Sequence, residues 1–253
     1  MARRLYIVTG ASRGMGEAIA EQLAASAEHT VIGISRGRSD ALAAAAARSG
    51  ARCEQWAADL ADPGPVAARL QAWLEAVEPD CFAIAGLVNN AGALSPIGPL
   101  ENCSSAELSS ALRVGLEAPL LLTAAFLRST ASWPADRRVL NISSGLGRRA
   151  MAGQATYCAA KAGMDHLSRA VALDQAELAH GARIVSLAPG VIDTDMQMQL
   201  REARGPGFPE QGNFVRLKEG GQLASSHDAA ARVVAWLERA DFGSAPVADV
   251  REA

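Results

Sequence analysis

The chain has 253 residues, of which 49% are hydrophobic, and a formal net charge of −3. This length suits one large α/β domain, the apolar content argues against disorder, and the charge without any basic run argues against nucleic-acid binding. Four scattered cysteines without a Cys-x-x-Cys pair argue against a metal site or a disulfide framework and predict a reducing, cytoplasmic environment. The N-terminus leads directly into a strand without a signal peptide, and no apolar run approaches the roughly 20 residues that span a bilayer.

Strands and helices alternate along the chain, as judged from the periodicity of the apolar residues. The predicted strands comprise residues 5–8, 30–35, 51–58, 84–88, 138–142, 183–187 and, at the edge, 245–250. The predicted helices comprise residues 17–27, about 40–48, one that begins at 62–63, 104–130, 155–179 and one that begins at 226. This alternation predicts an α/β fold of Rossmann type, a single domain with a doubly wound parallel sheet of about seven strands and helices on both faces.

The first predicted strand leads into the first helix through a glycine-rich turn at residues 9–16, TGASRGMG. Backbone N–H groups at the start of a helix suit a phosphate, and glycines allow its close approach or supply positive φ. The spacing is Gly-x-x-x-Gly-x-Gly rather than Gly-x-Gly-x-x-Gly, so a tight connection without a ligand is the alternative. Open parallel sheets bind ligands at the carboxyl ends of their strands. At these predicted ends the sequence places the glycine turn, Arg36, Asp59, Asn90, Ser144 and Pro189.

Tyr157 and Lys161 lie four residues apart, on one face of a long predicted helix. With a pKa of about 10, a tyrosine is a poor proton donor and acceptor at neutral pH, and a nearby ammonium group lowers that pKa. Ser144 lies at a strand end, where its hydroxyl could hold a carbonyl oxygen beside the phenol. With a hydride donor on the opposite side, these residues would reduce a ketone, whereas an ordinary surface pair is the alternative.

The second predicted strand ends at Ser35 and is followed by Arg36, with no acidic residue where NAD-binding proteins hold the ribose 2′-hydroxyl. Arg13 lies in the glycine turn, and guanidinium groups bind phosphate through charge-assisted hydrogen bonds. These residues predict a preference for NADPH over NADH, and solvated arginines are the alternative. They disfavour an NAD-linked oxidation of sugars or steroids.

Residues 197–218 interrupt the alternation with a polar stretch that contains Gly205-Pro206-Gly207 and Pro209. A long irregular insert beyond the carboxyl end of a strand is typical of a mobile lid, and a plain surface loop is the alternative. We predict a substrate lid at about residues 193–220. No linker or internal repeat separates it from the rest of the predicted domain.

The motifs together resemble those of the short-chain dehydrogenase/reductase family over nearly the whole chain. The similar motifs are TGxxxGxG at residues 9–16, NNAG at 89–92, the serine at 144, YxxxK at 157–161 and PG at 189–190. Within the family, the chain resembles the branch of sepiapterin reductases and bacterial benzil reductases. This likeness lies in residues 141–145, 157–158, 188–194, 196–197 and 217–219.

The resemblance implies that Tyr157 is the acid/base, that Lys161 lowers its pKa and holds the nicotinamide ribose, and that Ser144 orients the substrate carbonyl. It implies an NADP(H) site that comprises Gly10, Ser12, Arg13, Gly14, Met15, Gly16, Ser35, Arg36, Asp59, Leu60, Asn90, Ala91, Gly92, Ile142, Tyr157, Lys161, Pro189, Gly190, Val191 and Thr194. Gly115 stands where the family usually has an asparagine that serves a proton relay. Either a water molecule replaces that side chain or turnover is slow.

The expected function is NADPH-dependent reduction of a small activated ketone or α-dicarbonyl, similar to benzil or sepiapterin. The alternative is an NADP(H)-binding homologue with weak or no turnover and a regulatory role, because of Gly115. Asp249 lies in a stretch similar to the one where sepiapterin reductases have a pterin-anchoring aspartate, and a solvated carboxylate is its alternative. The two long helices, 104–130 and 155–179, are apolar over more than one face, which predicts a homodimer.

Overall fold

The computed structural model describes residues 3–204 and 207–252. Seven strands in these residues form one parallel sheet. Its strands are β1 Arg3–Thr9, β2 His29–Ser35, β3 Arg52–Ala57, β4 Phe82–Asn89, β5 Asp136–Ile142, β6 Arg183–Ala188 and β7 Val247–Asp249. The helices are α1 Gly14–Leu23, α2 Asp40–Ser49, α3 Pro63–Ala76, α4 Ser105–Leu112, α5 Ala118–Ser129, α6 Ala155–Ala176, α7 Asp195–Glu202, α8 Gln211–Glu219 and α9 Ser226–Glu238. The strand order is β3-β2-β1-β4-β5-β6-β7, which confirms the predicted doubly wound sheet.

The sheet separates two apolar cores because successive side chains of a strand point to opposite faces. In β1, Tyr6 and Val8 pack into one core with α1, α2 and α9. Leu5 and Ile7 pack into the other core with α3 and α5. All four side chains are fully buried, as expected for a parallel strand covered by helices on both faces. The strand order reverses between β1 and β4, and this is where sheets of this kind form a ligand-binding crevice.

The predicted helix 104–130 is interrupted in the structure. α4 and α5 are joined by one turn of π-helix, Arg113–Glu117. Pro119 in the first turn of α5 has no N–H to donate to the carbonyl of Gly115, which disturbs the regular α-helical hydrogen bonding. A Cβ on Gly115 would lie 3.1 Å from Ala160 Cβ, so the glycine allows α6 to pack closely at this turn. Insertions of this kind are frequent at functional sites.

The predicted irregular insert contains two helices, α7 and α8, while Gly205 and Pro206 lie outside the described residues. Thr194 caps α7, its hydroxyl accepting a hydrogen bond from the Gln197 N–H. A small apolar cluster fixes the two helices to the body of the domain; its buried members are Met151, Leu200, Phe208 and Phe214. The expectation of irregular structure was wrong because these few apolar side chains are enough to stabilise two short helices. The role of a substrate lid stays a prediction.

One stretch, Ser105–Ser129, is long and apolar enough to cross a membrane by length and composition alone. This corrects the expectation that no apolar run in the sequence approaches that length. In the structure Ala118, Leu122 and Phe126 of this stretch are fully buried, and they pack in the core that contains α3. Such packing explains its apolar character, since a core helix needs apolar side chains without any membrane.

Candidate active site

A cavity of about 680 Å³ opens at the carboxyl edge of the sheet. Its wall includes Ser144 and every residue that the sequence assigned to the cofactor, from Gly10 to Thr194. These residues come from the ends of β1 to β6 and from the start of α6, so the parallel sheet brings them together across long distances in the sequence.

The glycine turn is fastened to the end of β4. The Thr9 hydroxyl accepts hydrogen bonds from the backbone N–H groups of Asn90 (2.9 Å) and Ala91 (3.0 Å), and the Asn90 amide donates to the Thr9 carbonyl (3.0 Å). Gly10 has φ +71°, and a Cβ on Gly16 would collide with the Asn90 amide and the Gly10 carbonyl. Among the described residues no side chain caps the first turn of α1, so its N–H groups are available to a phosphate.

The carboxyl end of β2 presents a hydroxyl and an exposed guanidinium to the cavity. The Ser35 hydroxyl donates to the Gly37 carbonyl (2.9 Å), and Arg36 follows on the cavity wall. Arg13 reaches across the mouth of the cavity, where its Nη1 lies 2.8 Å from Asp195 Oδ2 at the start of α7. Both side chains of this ion pair are exposed. The two guanidinium groups fit a phosphate, provided that Arg13 is shared with or released from Asp195.

Ser144, Tyr157 and Lys161 lie together on the opposite part of the wall. The Lys161 ammonium donates to the Ile142 carbonyl (2.6 Å) and lies 5.6 Å from the centre of the Tyr157 ring. Burial raises the pKa of Tyr157 to about 12, although its hydrogen bond with Ser144 opposes this shift. Burial lowers the pKa of Lys161 to about 8, and Asp165 opposes that shift.

The effect of burial on Tyr157 differs from the expectation that Lys161 would lower the tyrosine pKa. Removing the phenolate from water disfavours it more than the surrounding groups stabilise it. Tyr157 therefore holds its proton at neutral pH. A protonated phenol on the same wall as the Ser144 hydroxyl can donate a hydrogen bond to a ligand in the cavity.

Asp165 is a buried carboxylate that belongs to none of the sequence motifs. It lies one turn after Lys161 on α6, where it accepts hydrogen bonds from the hydroxyls of Ser143 and Ser186. Arg148 Nε lies 3.4 Å from its second oxygen. These contacts fix the end of β5 against α6 and so position the loop that contains Ser144. In the sequence, Asp165 could have been found as an acidic residue on the inner face of a predicted helix.

Asp249, predicted to bind substrate, does not form part of the cavity wall. Its carboxylate is buried and accepts two hydrogen bonds from Arg251, at 2.8 and 2.6 Å. The Arg251 hydrogen bond is also the main reason that the pKa of Asp249 is lowered. The Arg251 guanidinium thus binds both carboxylate oxygens, and the contact of Asp249 with a substrate stays a prediction.

The comparisons with known proteins agree with the resemblance predicted from the motifs. The chain matches the family model of short chain dehydrogenases over residues 4–205. It is 35% identical over 249 residues to benzil reductase ((S)-benzoin forming) of Bacillus cereus, a match that covers 98% of this chain and 100% of that protein. It is 32% identical over 248 residues to sepiapterin reductase of Meriones unguiculatus, covering 94% of this chain and 92% of that protein.

A solved structure with the same fold is 3-oxoacyl-[acyl-carrier protein] reductase from Brucella melitensis in complex with NAD. It superposes with a TM-score of 0.80 at 23% identity and covers 99% of this chain and 96% of its own. At this level of identity the likeness supports the fold, which the strand order shows independently.

Proposed function

Because the chain belongs to the short-chain dehydrogenase family, we propose that it is an NADPH-dependent carbonyl reductase that acts on a small activated ketone or α-dicarbonyl. The observation that supports this most directly is that Tyr157, Ser144 and the glycine turn lie on the wall of one cavity. Similarity to benzil and sepiapterin reductases favours the substrate class.

The residues of the cavity fit a nicotinamide dinucleotide along its whole length. The uncapped start of α1 suits the pyrophosphate, and Asp59 and Leu60 at the end of β3 suit the adenine. Lys161 and Thr194, at the other end, suit the nicotinamide ribose and carboxamide. NADPH bound in this way supplies the hydride for the reduction.

The side chains of the protein provide the proton and hold the substrate. Ser144 donates a hydrogen bond to the substrate carbonyl oxygen, and Tyr157 donates its proton to the same oxygen as negative charge develops there. The Lys161 ammonium stabilises the phenolate that Tyr157 becomes, and the Ile142 carbonyl keeps that ammonium in position. A second carbonyl next to the reacting one withdraws electrons and makes the reduction easier.

The preference for NADPH is supported by Ser35, Arg36 and Arg13 at one end of the cavity. Arg36 is exposed at the cavity wall, and we assign it as the first ligand of the 2′-phosphate. Arg13 becomes the second ligand once the phosphate competes successfully with Asp195. An exposed ion pair of this kind is worth only about 0–1 kcal/mol, so the competition costs little.

We propose a homodimer in the cytoplasm. Exposed leucines on α4, α5 and α6 support self-association, with Leu112, Leu120 and Leu173 being 37%, 44% and 72% exposed. Cys53, Cys81, Cys103 and Cys158 are free thiols in the described part of the chain, which favours a reducing compartment.

Gly115 favours a second candidate function, a cofactor-binding homologue with a regulatory role and little turnover. The π-helical turn at Gly115 packs against α6 without offering a side chain to a proton relay. Oxidation of NADPH or NADH with benzil, sepiapterin and a quinone distinguishes the two candidates. We expect reduction with NADPH; tight NADPH binding without turnover of any carbonyl probe would favour the regulatory role.

A further inference from the structure

Arg251 forms part of the cavity wall, and the proposed mechanism does not use it. Its Nε and Nη2 atoms donate to the two carboxylate oxygens of Asp249 at 2.8 and 2.6 Å. The Asp249 side chain is only 3% exposed, whereas that of Arg251 is 65% exposed. Because the buried carboxylate binds one edge of the planar guanidinium, the N–H groups of Nη1 remain for a ligand in the cavity.

A chain of alternating charges holds Arg251 in this orientation. Asp249 also accepts a hydrogen bond from the Arg251 backbone N–H (3.0 Å) and lies 3.8 Å from Arg148 Nη1. Arg148 in turn donates to the Ala248 carbonyl (2.8 Å) and contacts the buried Asp165 through Nε at 3.4 Å. Arg251 is therefore pre-organised, which lowers the entropic cost of binding an anion.

The charge of the surrounding wall also favours an anion. Arg149 is a second exposed guanidinium on it, and the described residues contain no ion pair that involves Arg149. Among the wall acids, Asp193 is held in ion pairs with Arg201 and Lys218, whereas Asp195 pairs with Arg13. The third wall acid, Asp59, follows β3 at the opposite edge of the sheet from β7. Glu252 is exposed and does not form part of the wall.

Arg251 lies on the catalytic side of the cavity and far from the residues assigned to the 2′-phosphate. It follows β7, whereas Arg36 follows β2, and five strand spacings of about 4.8 Å separate these strands. Only two spacings, roughly 10 Å, separate β7 from β5, whose end leads to Ser144. An anion at Arg251 is therefore part of the substrate rather than of the cofactor.

We propose that Arg251, together with Arg149, binds the carboxylate of an anionic carbonyl substrate whose reacting carbonyl lies at Ser144 and Tyr157. This inference rests on the proposed reductase function and narrows its substrate class to oxo compounds that also carry a carboxylate. The guanidinium provides the charge-assisted hydrogen bonds that a carboxylate prefers. The proposed site is thus positively charged, whereas Asp249, the residue expected from the sequence to bind substrate, is negatively charged.

The test compares 4-carboxybenzil with its methyl ester, which has the same two carbonyls without the charge. For the wild-type protein with NADPH we expect a higher kcat/KM for the acid than for the ester, and a preference that decreases with added salt. Arg251→Ala should lower the ratio of the two kcat/KM values about 10- to 100-fold, the effect of losing a hydrogen bond to a charged group. Arg251→Lys should restore part of it. Arg232→Ala, at an exposed arginine of α9 away from the wall, is the matched control.

An unchanged ratio in Arg251→Ala would overturn the anion site, even if both probes are reduced and the reductase function stands. Equal losses for acid and ester would have the same meaning, because they indicate a structural role. If the wild type reduces neither probe, the reductase function fails. Calorimetry with the NADP⁺-loaded protein then decides the anion site. Weaker binding of the acid alone in Arg251→Ala supports it, and equal binding of acid and ester by the wild type overturns it.

Discussion

Burial acts in opposite directions on the two ionisable side chains that α6 presents to the cavity. It raises the pKa of Tyr157 to about 12 and lowers that of Lys161 to about 8. The phenol therefore keeps its proton at neutral pH, while the ammonium is close to losing one. This combination suits donation of a proton to a substrate oxygen, since the charge of Lys161 is then used to stabilise the phenolate.

Tyr157→Phe should abolish carbonyl reduction because it removes the proton donor and leaves the ring. We expect a loss of turnover of roughly 10²- to 10⁴-fold, the contribution of general acid catalysis. NADPH affinity, measured by fluorescence titration, should stay nearly intact, since the hydroxyl is a small part of the cofactor site. A variant that keeps most of its turnover number would contradict the assigned role.

Arg36→Ala should weaken NADPH binding by about 1–3 kcal/mol, the range for hydrogen bonds to a charged group. NADH binding should change little, because NADH has no 2′-phosphate. Titration of wild type and variant with both cofactors measures this difference directly. Arg38→Ala, at an exposed arginine of the same loop that does not line the cavity, is the control. Equal catalytic efficiency of the wild type with NADPH and NADH would argue against the preference.

At the scale of elements, the junction between α4 and α5 depends on Gly115. This residue has no side chain, so the backbone of the junction lies close to α6. A Cβ on Gly115 would lie 3.1 Å from Ala160 Cβ on α6, closer than an ordinary van der Waals contact. The π-helical turn thus approaches the helix that contains Tyr157 and Lys161.

Gly115→Ala should therefore interact unfavourably with Ala160. The effect of Gly115→Ala on the free energy of unfolding should be about 0.5–1 kcal/mol more destabilising in the wild-type background than in an Ala160→Gly background. Urea denaturation of the four proteins of this cycle gives the coupling. Additive effects would mean that α6 moves away freely at this turn.

The sequence predicted the sheet and the cavity edge because both depend on local patterns. Apolar runs specify the strands, and the glycine turn, Asn90, Ser144 and Pro189 all follow a strand directly, so that a parallel sheet brings them together. The Arg148 contacts with Asp165 and Asp249 join distant parts of the chain and leave no periodic signal. For the same reason the contact between Asp249 and Arg251 became apparent only from the packing.

At the scale of the whole molecule, the surface retains exposed leucines on helices that also contribute to the core. Leu120 is 44% exposed on α5, whereas Leu122 and Phe126 of the same helix are fully buried. A helix that is apolar on two faces is stabilised when a second molecule covers the outer one. Two-fold pairing is the commonest arrangement that closes such a surface.

Light scattering at micromolar concentration should therefore give about twice the chain mass of 26.2 kDa. Leu120→Glu should shift the mass toward that of one chain, because pairing would bury a charge. Leu100→Glu, at an exposed leucine in the loop before α4, should leave the mass unchanged. A monomeric wild type would contradict the prediction.

The ion pair between Arg13 and Asp195 has a consequence for the order of events during turnover. It joins the glycine turn to the start of α7, and both partners are exposed, so thermal motion opens it readily. We expect a cofactor phosphate that binds Arg13 to separate the partners and to leave Asp195 free to move with α7. Because Leu200 of this helix packs with Met151 at the cavity wall, we expect the bound cofactor to change the shape of the space that the second reactant enters. The two ligands should therefore bind in a compulsory sequence, dinucleotide first, and leave in the reverse one.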